Sequence, residues 1–525
     1  MNRRAFLAGL GASSAISMLD WLRFFKRNGV PGTPRELGIA EAAAQAANQP
    51  RFLIYWFIEG GWDGYSMFNP VATRNDAIGN SNVPDADQLY RPRGVSLVNG
   101  LYPVQQQGGI SYGHLAAPGT SLFSDMAVVS SHHGATFHSG GRLEYHMGKY
   151  QMQYSDKRGA DERSVIQAFC EAYGQSFLLP HISWHNWLSD GELSMSDYPE
   201  GTGYYEKLGP AYAHTVYGGT PQKMRDRIAQ IAASSGAGRD AAIHKFVDNL
   251  HANFMKDKNS ETVKAFASAV EVHRTLVSGG ANLDVSSLFN DSALRSEFNV
   301  QGKDEQTTST SVNGNPARSK NSPNTNVQAL MTYELMTKGV GIGFFIESQE
   351  IRGFDSHNNR QNVKNQGGQT DQRSDMEQHL WNPLKALVNR LKNTQYQSSG
   401  KSFFDYTTIV LASEMGRSMG GGDDDVCQHW DTSSVAFLGG TVKGGTQFGR
   451  VGTTTLDAIP VMPDGTLDPA YDPITGVLKP MNQPTAGGYV SDAGHVYATA
   501  LELTGISKAN QKGKNTRPPM LFVKK

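Results

Sequence analysis

Acidic and imidazole side chains recur in this chain just past its most apolar runs. Asp63 stands in "EGGWDG", and "HHGATFHSGG" carries His132, His133, Thr136, His138 and Ser139. Asp355 and His357 lie in "GFDSH", and Glu414, Arg417, His429 and Asp431 in "EMGRSMGGGDDDVCQHWD". Asp492 and His495 open the last helical pattern. Carboxylate and imidazole are donors that suit a divalent metal such as Zn, Mn, Fe or Mg. Two such ions side by side bind a phosphate or sulfate ester and stabilise the charge that develops on it. Each group also has a plainer role. Asp63 after two glycines shapes a turn, and Asp423 to Asp425 read as a solvated charge run. Glu414 and Arg417 form a structural ion pair in the plainer reading. His181 and His185 are spaced by four beside Pro180 and aromatics, which points to core packing. Asp355 and His357 are two apart, so on an extended segment both face one way.

Chemistry of this kind requires elements that bring distant loops together. Five continuous apolar runs read as strands buried on both faces: Phe52 to Glu59, Met126 to Ser131, Gly341 to Ser348, Tyr406 to Glu414 and Ser434 to Gly440. Continuous rather than alternating runs are the pattern of a parallel sheet covered by helices. Helical patterns lie between several of them. One has Asn326 as N-cap and Gly339 as stop, one is kinked at Pro383, and the last runs from Ser491 or Asp492 to Gly505. The expectation is an α/β fold with a mainly parallel sheet, in three α/β/α layers. Open α/β sheets place their sites outside the carboxyl ends of the strands, where these acids and histidines fall.

The 525 residues are 38% hydrophobic and 18% charged, with a net charge of -1. No basic surplus marks a nucleic-acid or membrane-surface partner. Two cysteines, Cys170 and Cys427, exclude a disulfide framework and a thiolate zinc site, and leave one long-range pair open. A helical insertion is expected over about residues 220–300 and a polar, flexible loop over about 301–326. Residues 1–48 read as a twin-arginine export signal and linker, with Arg3 and Arg4 ahead of a short, weakly apolar stretch. The alternative there is a basic amphipathic N-terminal helix that stays. No segment reaches the roughly 18 uninterrupted apolar residues of a transmembrane span. Twin-arginine export places the protein in the periplasm or at the cell surface, and carries folded proteins, often already loaded with a metal.

In this order, "GGWDG", "FHSGGRLEYHMG", "GFDSH", "SEMGR", "HWDTSSVAFLGGTVKGG" and "VYATALELTGI" resemble the exported domain of unknown function 1501 family, from about residue 50 onward. That family is similar to the alkaline phosphatase and sulfatase superfamily. The resemblance implies an alkaline-phosphatase-like fold over 49–525 and a site for divalent metals, Zn, Mn, Mg, Ca or Fe. It implies metal ligands at Asp63, Asp355, His357, His429 and His495, with Asp431 or one of Asp423 to Asp425 compensating for Gln428. Thr136 or Ser139 would attack a small anionic ester, and Arg417 would hold it. His138 occupies the usual nucleophile position, as a ligand or an anion donor. The Cys-x-Pro-x-Arg sulfatase signature is absent, since Cys170 precedes "EAYGQ" and Cys427 precedes "QHWDT". The readings that follow are an exported metal-dependent hydrolase of phosphate or sulfate esters, a non-catalytic metal-binding or surface protein on the same fold, and a single-metal enzyme of another class.

Overall fold

The computed structural model describes residues 51–62, 64–70, 104–113, 115–135, 138–148, 164–174, 177, 181–183, 213–215, 288–300, 324–348, 375–396, 399–417, 429–455, 457–480, 482–511, 515 and 517–525. Its strands are β1 (Phe52–Ile58), β2 (Gln105–Gln107), β3 (Ile110–Tyr112), β4 (Met126–His133), β5 (His181–Ser183) and β6 (Ala213–Thr215). They continue as β7 (Gly343–Ser348), β8 (Thr407–Ser413), β9 (Gly416–Arg417), β10 (His429–Trp430), β11 (Thr432–Gly439) and β12 (Thr446–Phe448). The α-helices are α1 (His138–Met147), α2 (Val165–Tyr173), α3 (Ser292–Glu297), α4 (Thr325–Thr337), α5 (Asn382–Asn393) and α6 (Ala493–Leu503).

Eight strands form one sheet in the order β12-β4-β11-β8-β1-β7-β5-β6. All five apolar runs lie in it, and β1, β7, β8 and β11 are buried along their whole length, as continuous apolar sequence requires. β1 pairs in parallel with β7 and β8, and the parallel pairing extends through β5 to β6. The sheet is mainly parallel, as expected, and β11 is its antiparallel strand, running against both β4 and β8. The reason lies in its connection. A parallel return needs a crossover, usually a helix, whereas β8 leads through Gly416–Arg417 to an antiparallel partner, His429–Trp430, and straight into β11.

Helices cover both faces. α1, α2 and α6 pack together on one side, where Tyr145 meets Phe57 and His146 meets Phe345. α4 and α5 pack together on the other, where Trp381, just ahead of α5, meets Phe68. The cap of α4 differs from expectation. Asn324, not Asn326, accepts the Val327 amide, while Asn326 is buried and donates to Phe298 O. Gly339 ends the helix as expected, in the left-handed conformation open to glycine. Pro383 does not break its helix: a π-turn over Glu377–Trp381 widens the ladder ahead of it, and α5 continues. The helical insertion expected over about 220–300 falls outside the described residues except for its last part, which contains α3. Residues 301–323 of the expected loop also fall outside them.

Two glycines separate backbone strain from crowding. Gly61 has φ +75, and an added Cβ would lie 2.4 Å from Met415 Cγ in a fully buried contact. Gly400 has φ +74 and nothing within 4 Å. Gly400→Ala is expected to cost about 1–2 kcal/mol of unfolding free energy, the left-handed penalty alone. Gly61→Ala adds an overpacking cost of about 1–3 kcal/mol. Urea unfolding of the two variants measures the difference, and equal losses would show that the Gly61 turn has room to spare.

Candidate functional site

The register aligns the strand ends. Ile58 lies opposite Ser348 of β7 and Ser413 of β8, and Thr432 opposite His133 of β4. The segments that leave β1, β4 and β8, and the one that enters β11, therefore meet along one edge of the sheet. Buried Glu59, Glu347 and Glu414 sit at the ends of three neighbouring strands there. Ser491, just before α6, is tied to the same edge: its N–H donates to Ser131 O, and its carbonyl accepts from His133 N.

The turn after β1 is held group by group. Gly60 N donates to Glu414 Oε1 at 2.7 Å. Trp62 N donates to Ser413 Oγ at 3.0 Å, and that hydroxyl donates to Ile58 O at 2.6 Å. Arg417 is fully buried; its Nε donates to Gly61 O at 3.3 Å and its Nη2 to Gly60 O. Gly60 and Gly61 both have positive φ, at 101° and 75°. The indole of Trp62 donates to Ser433 Oγ at 3.1 Å. The segment "SEMGR" thus closes round "EGG", on the residues immediately before Asp63.

Asp63, Thr136, Asp355 and His357 lie outside the described residues, as do Asp423, Asp424 and Asp425. Of His138 and Ser139 the structure describes the backbone, the first two residues of α1. His429 is half-buried on β10, paired in register with Arg417. Asp431 is also half-buried, and its carbonyl accepts from Gly134 N, which ties it to the β4 end. His495 is buried in the first turn of α6, its ring stacked on Tyr489 at 4.7 Å. Asp492 offers His495 Nδ1 a carboxylate oxygen at 2.8 Å and a backbone N–H at 3.2 Å. The shorter, charge-assisted contact favours a proton on Nδ1 and leaves Nε2 as the nitrogen able to face a metal. Arg517 holds the other oxygen of Asp492 at 2.7 Å. Burial alone would raise the Asp492 pKa, but hydrogen bonds from His495 and the charges of His495 and Arg517 carry it below the usual value. Among the described residues no group of three or more His, Cys, Asp or Glu is placed to hold a metal ion.

A second histidine, singled out in the sequence beyond the strand, belongs to the strand itself. His132 and His133 end β4 rather than follow it, and His132 is fully buried. Its Nδ1 lies 2.9 Å from Ser491 Oγ and its Nε2 contacts the Tyr145 hydroxyl. Desolvation lowers its pKa to about 3, aided by His133 and His495 and opposed by Asp492. The apolar run that leads into it was the available signal, since a histidine continuing such a run belongs to the strand.

The model of the family described as "Protein of unknown function (DUF1501)" matches residues 51–461. No curated protein matches the chain. Among solved structures, the chain is similar to a phosphonate monoester hydrolase, SpPMH, from Silicibacter pomeroyi. The pair is 11% identical, the match covers 90% of this chain and 76% of that one, and the TM-score is 0.31.

The lowered pKa of His132 gives stability a pH dependence of definite sign. Between about pH 3 and its unfolded value near 6.5, the unfolded chain binds a proton that the folded chain refuses. Stability therefore falls as pH drops through this window, by up to about 1.4 kcal/mol per pH unit from this group. Asp492 adds a loss at lower pH, as its carboxylate is protonated. Urea unfolding between pH 6 and 4.5 should show a slope shallower by about one proton in His132→Asn than in the parent; identical slopes would mean that His132 titrates normally.

Proposed function

We propose that this chain, which belongs to the DUF1501 family, is an exported metal-dependent hydrolase of phosphate or sulfate esters. The observation that carries the reading is the convergence of strand ends on one edge, with a turn there whose described backbone groups are tied down just before Asp63. A carboxylate that must face a cation gains from such fixing, because the ligand is ordered before the ion arrives.

The donor set suits divalent metals. Asp63, Asp355, His357, His429, Asp431 and His495 would hold them, and Asp492 would orient His495 as an outer carboxylate. The buried glutamates at the strand ends make the edge favourable for cations. Bound metal would supply charge stabilisation and a lowered pKa for an attacking oxygen. Thr136 or Ser139 is proposed as the attacking hydroxyl, with His138 beside it ahead of or within the first turn of α1. The N-terminus of α1, a ten-residue helix, points backbone N–H groups where an anion would sit. Arg417 is proposed to hold the anion; two of its N–H groups are engaged by the turn carbonyls, so it would also steady the turn ahead of Asp63. Export through the twin-arginine pathway belongs to the same proposal, as do the signal over 1–48 and the insertion over about 220–300. No described helix is long and apolar enough to cross a membrane.

Metal analysis of protein recovered from its native compartment is the first test. Bound divalent metal, a fall in thermal stability on chelation and turnover of p-nitrophenyl phosphate, phosphonate or sulfate esters are the expected results. Asp63→Asn should lower metal content at least about tenfold with the fold intact. Bound metal without turnover of any ester would favour a non-catalytic metal-binding protein. Absence of metal, with no effect of chelator, would overturn the hydrolase reading.

A further inference from the structure

The two contacts of His132 settle where its protons are. Ser491 Oγ lies 2.9 Å from His132 Nδ1 and also 2.9 Å from Ser131 O. A carbonyl oxygen only accepts, so the one hydroxyl proton of Ser491 belongs on Ser131 O. Turned toward the ring instead, it would leave two oxygen lone pairs facing each other at hydrogen-bond distance. Nδ1 therefore carries the imidazole proton and donates to Ser491 Oγ. Nε2 is left bare, and the Tyr145 hydroxyl, 2.5 Å away, donates to it. Burial keeps the Tyr145 phenol protonated, since its pKa is raised well above the ordinary value.

Tyr145 is one of the points that hold α1. Its ring packs against Phe57 and against the His132 ring. One turn earlier, Gly141 lies so close to the sheet edge that a Cβ would fall 2.7 Å from Glu414 Cβ and 2.8 Å from Ala135 Cβ. At the far end, Gly148 packs against Tyr497 of α6, where a Cβ would fall 2.5 Å from the ring. Shape at the two glycines sets how close α1 can approach. The hydroxyl contact is directional, and so it bears on how the helix is turned about its axis. α1 begins at His138, seven residues or about two turns before Tyr145.

We propose that His132 is a positioning residue: locked as the Nδ1–H tautomer between Ser491 and Tyr145, it helps set the rotation of α1, the helix that starts at His138 and Ser139. It ligates no metal, because both ring nitrogens are spent inside the fold. The functional weight of this positioning rests on the hydrolase reading, but the tautomer and the anchoring do not.

Nitrogen-15 histidine spectra of the full chain test the proposal without substrate. His132 should show a protonated Nδ1 and a bare Nε2 throughout about pH 5 to 8, where an ordinary histidine titrates. Tyr145→Phe should keep that tautomer and speed hydrogen exchange of the α1 amides by about tenfold, leaving β1 and β7 unchanged. Ser491→Ala should move the proton to Nε2, with Tyr145 turning to accept it. An Nε2–H tautomer in the parent protein, or unchanged α1 exchange in Tyr145→Phe, would overturn the proposal. If Tyr145→Phe does not fold, the parent tautomer decides alone. An inactive protein with the Nδ1–H tautomer removes the hydrolase reading and leaves the positioning role, and an active one with the Nε2–H tautomer does the reverse.

Discussion

The grip of Glu414 and Arg417 on the Gly60-Gly61 turn is the constraint on which the rest of the edge depends. A strand that ends inside the protein exposes backbone groups to no water, and each one left unpaired costs about 1–3 kcal/mol. Here Gly60 N, Trp62 N and the carbonyls of Ile58, Gly60 and Gly61 all find partners in residues 413–417. The turn can be tight because both glycines take positive φ, and it cannot swing because Met415 fills the space a side chain would need. Two segments more than 350 residues apart thereby become one rigid unit at the end of adjacent parallel strands.

That rigidity explains why β11 has to run backwards. β8 must deliver Ser413, Glu414 and Arg417 to the turn and then leave the edge. β9 and β10 pair antiparallel and set His429 beside Arg417. β11 then re-enters the sheet from the same edge, with Asp431 against Gly134. A helical crossover would have carried this segment to the opposite end of the sheet before its return. The antiparallel strand thus keeps a histidine and an aspartate at the edge where β1 and β4 also end.

The strands were legible because burial on both faces leaves an unbroken apolar run, as in "FLIYWFI" and "TTIVLAS". Direction was not, since an apolar run reads the same in either orientation and only the connection before β11 decides it. Helix ends were legible to within two residues: Asn324 and Asn326 are both good caps by type, and only the contact of Asn326 with Phe298 assigns it to the interior. At the site, the spacing of "SEMGR" marked Glu414 and Arg417 as a pair, yet their common object, the turn after β1, is fixed by the fold. The His132 contacts were invisible for the same reason: Ser491 lies 359 residues away, and the apolar run ahead of His132 signals burial but not a partner.

The two histidines joined to the start of α6 show how one edge can hold imidazoles in opposite roles. His495 faces a carboxylate that Arg517 also holds, so the negative charge of Asp492 is largely answered before it reaches further in. His132 feels the same aspartate but lies with no exposed surface, and desolvation outweighs that attraction. A charge there would also face His133 and His495, which oppose it. The inner ring consequently stays neutral and serves as a two-ended hydrogen-bond bridge. The His495 ring instead commits its Nδ1 to a carboxylate. Partition of this kind needs no difference in residue type, only a difference in partners: Ser491 and Tyr145 for His132, Asp492 for His495.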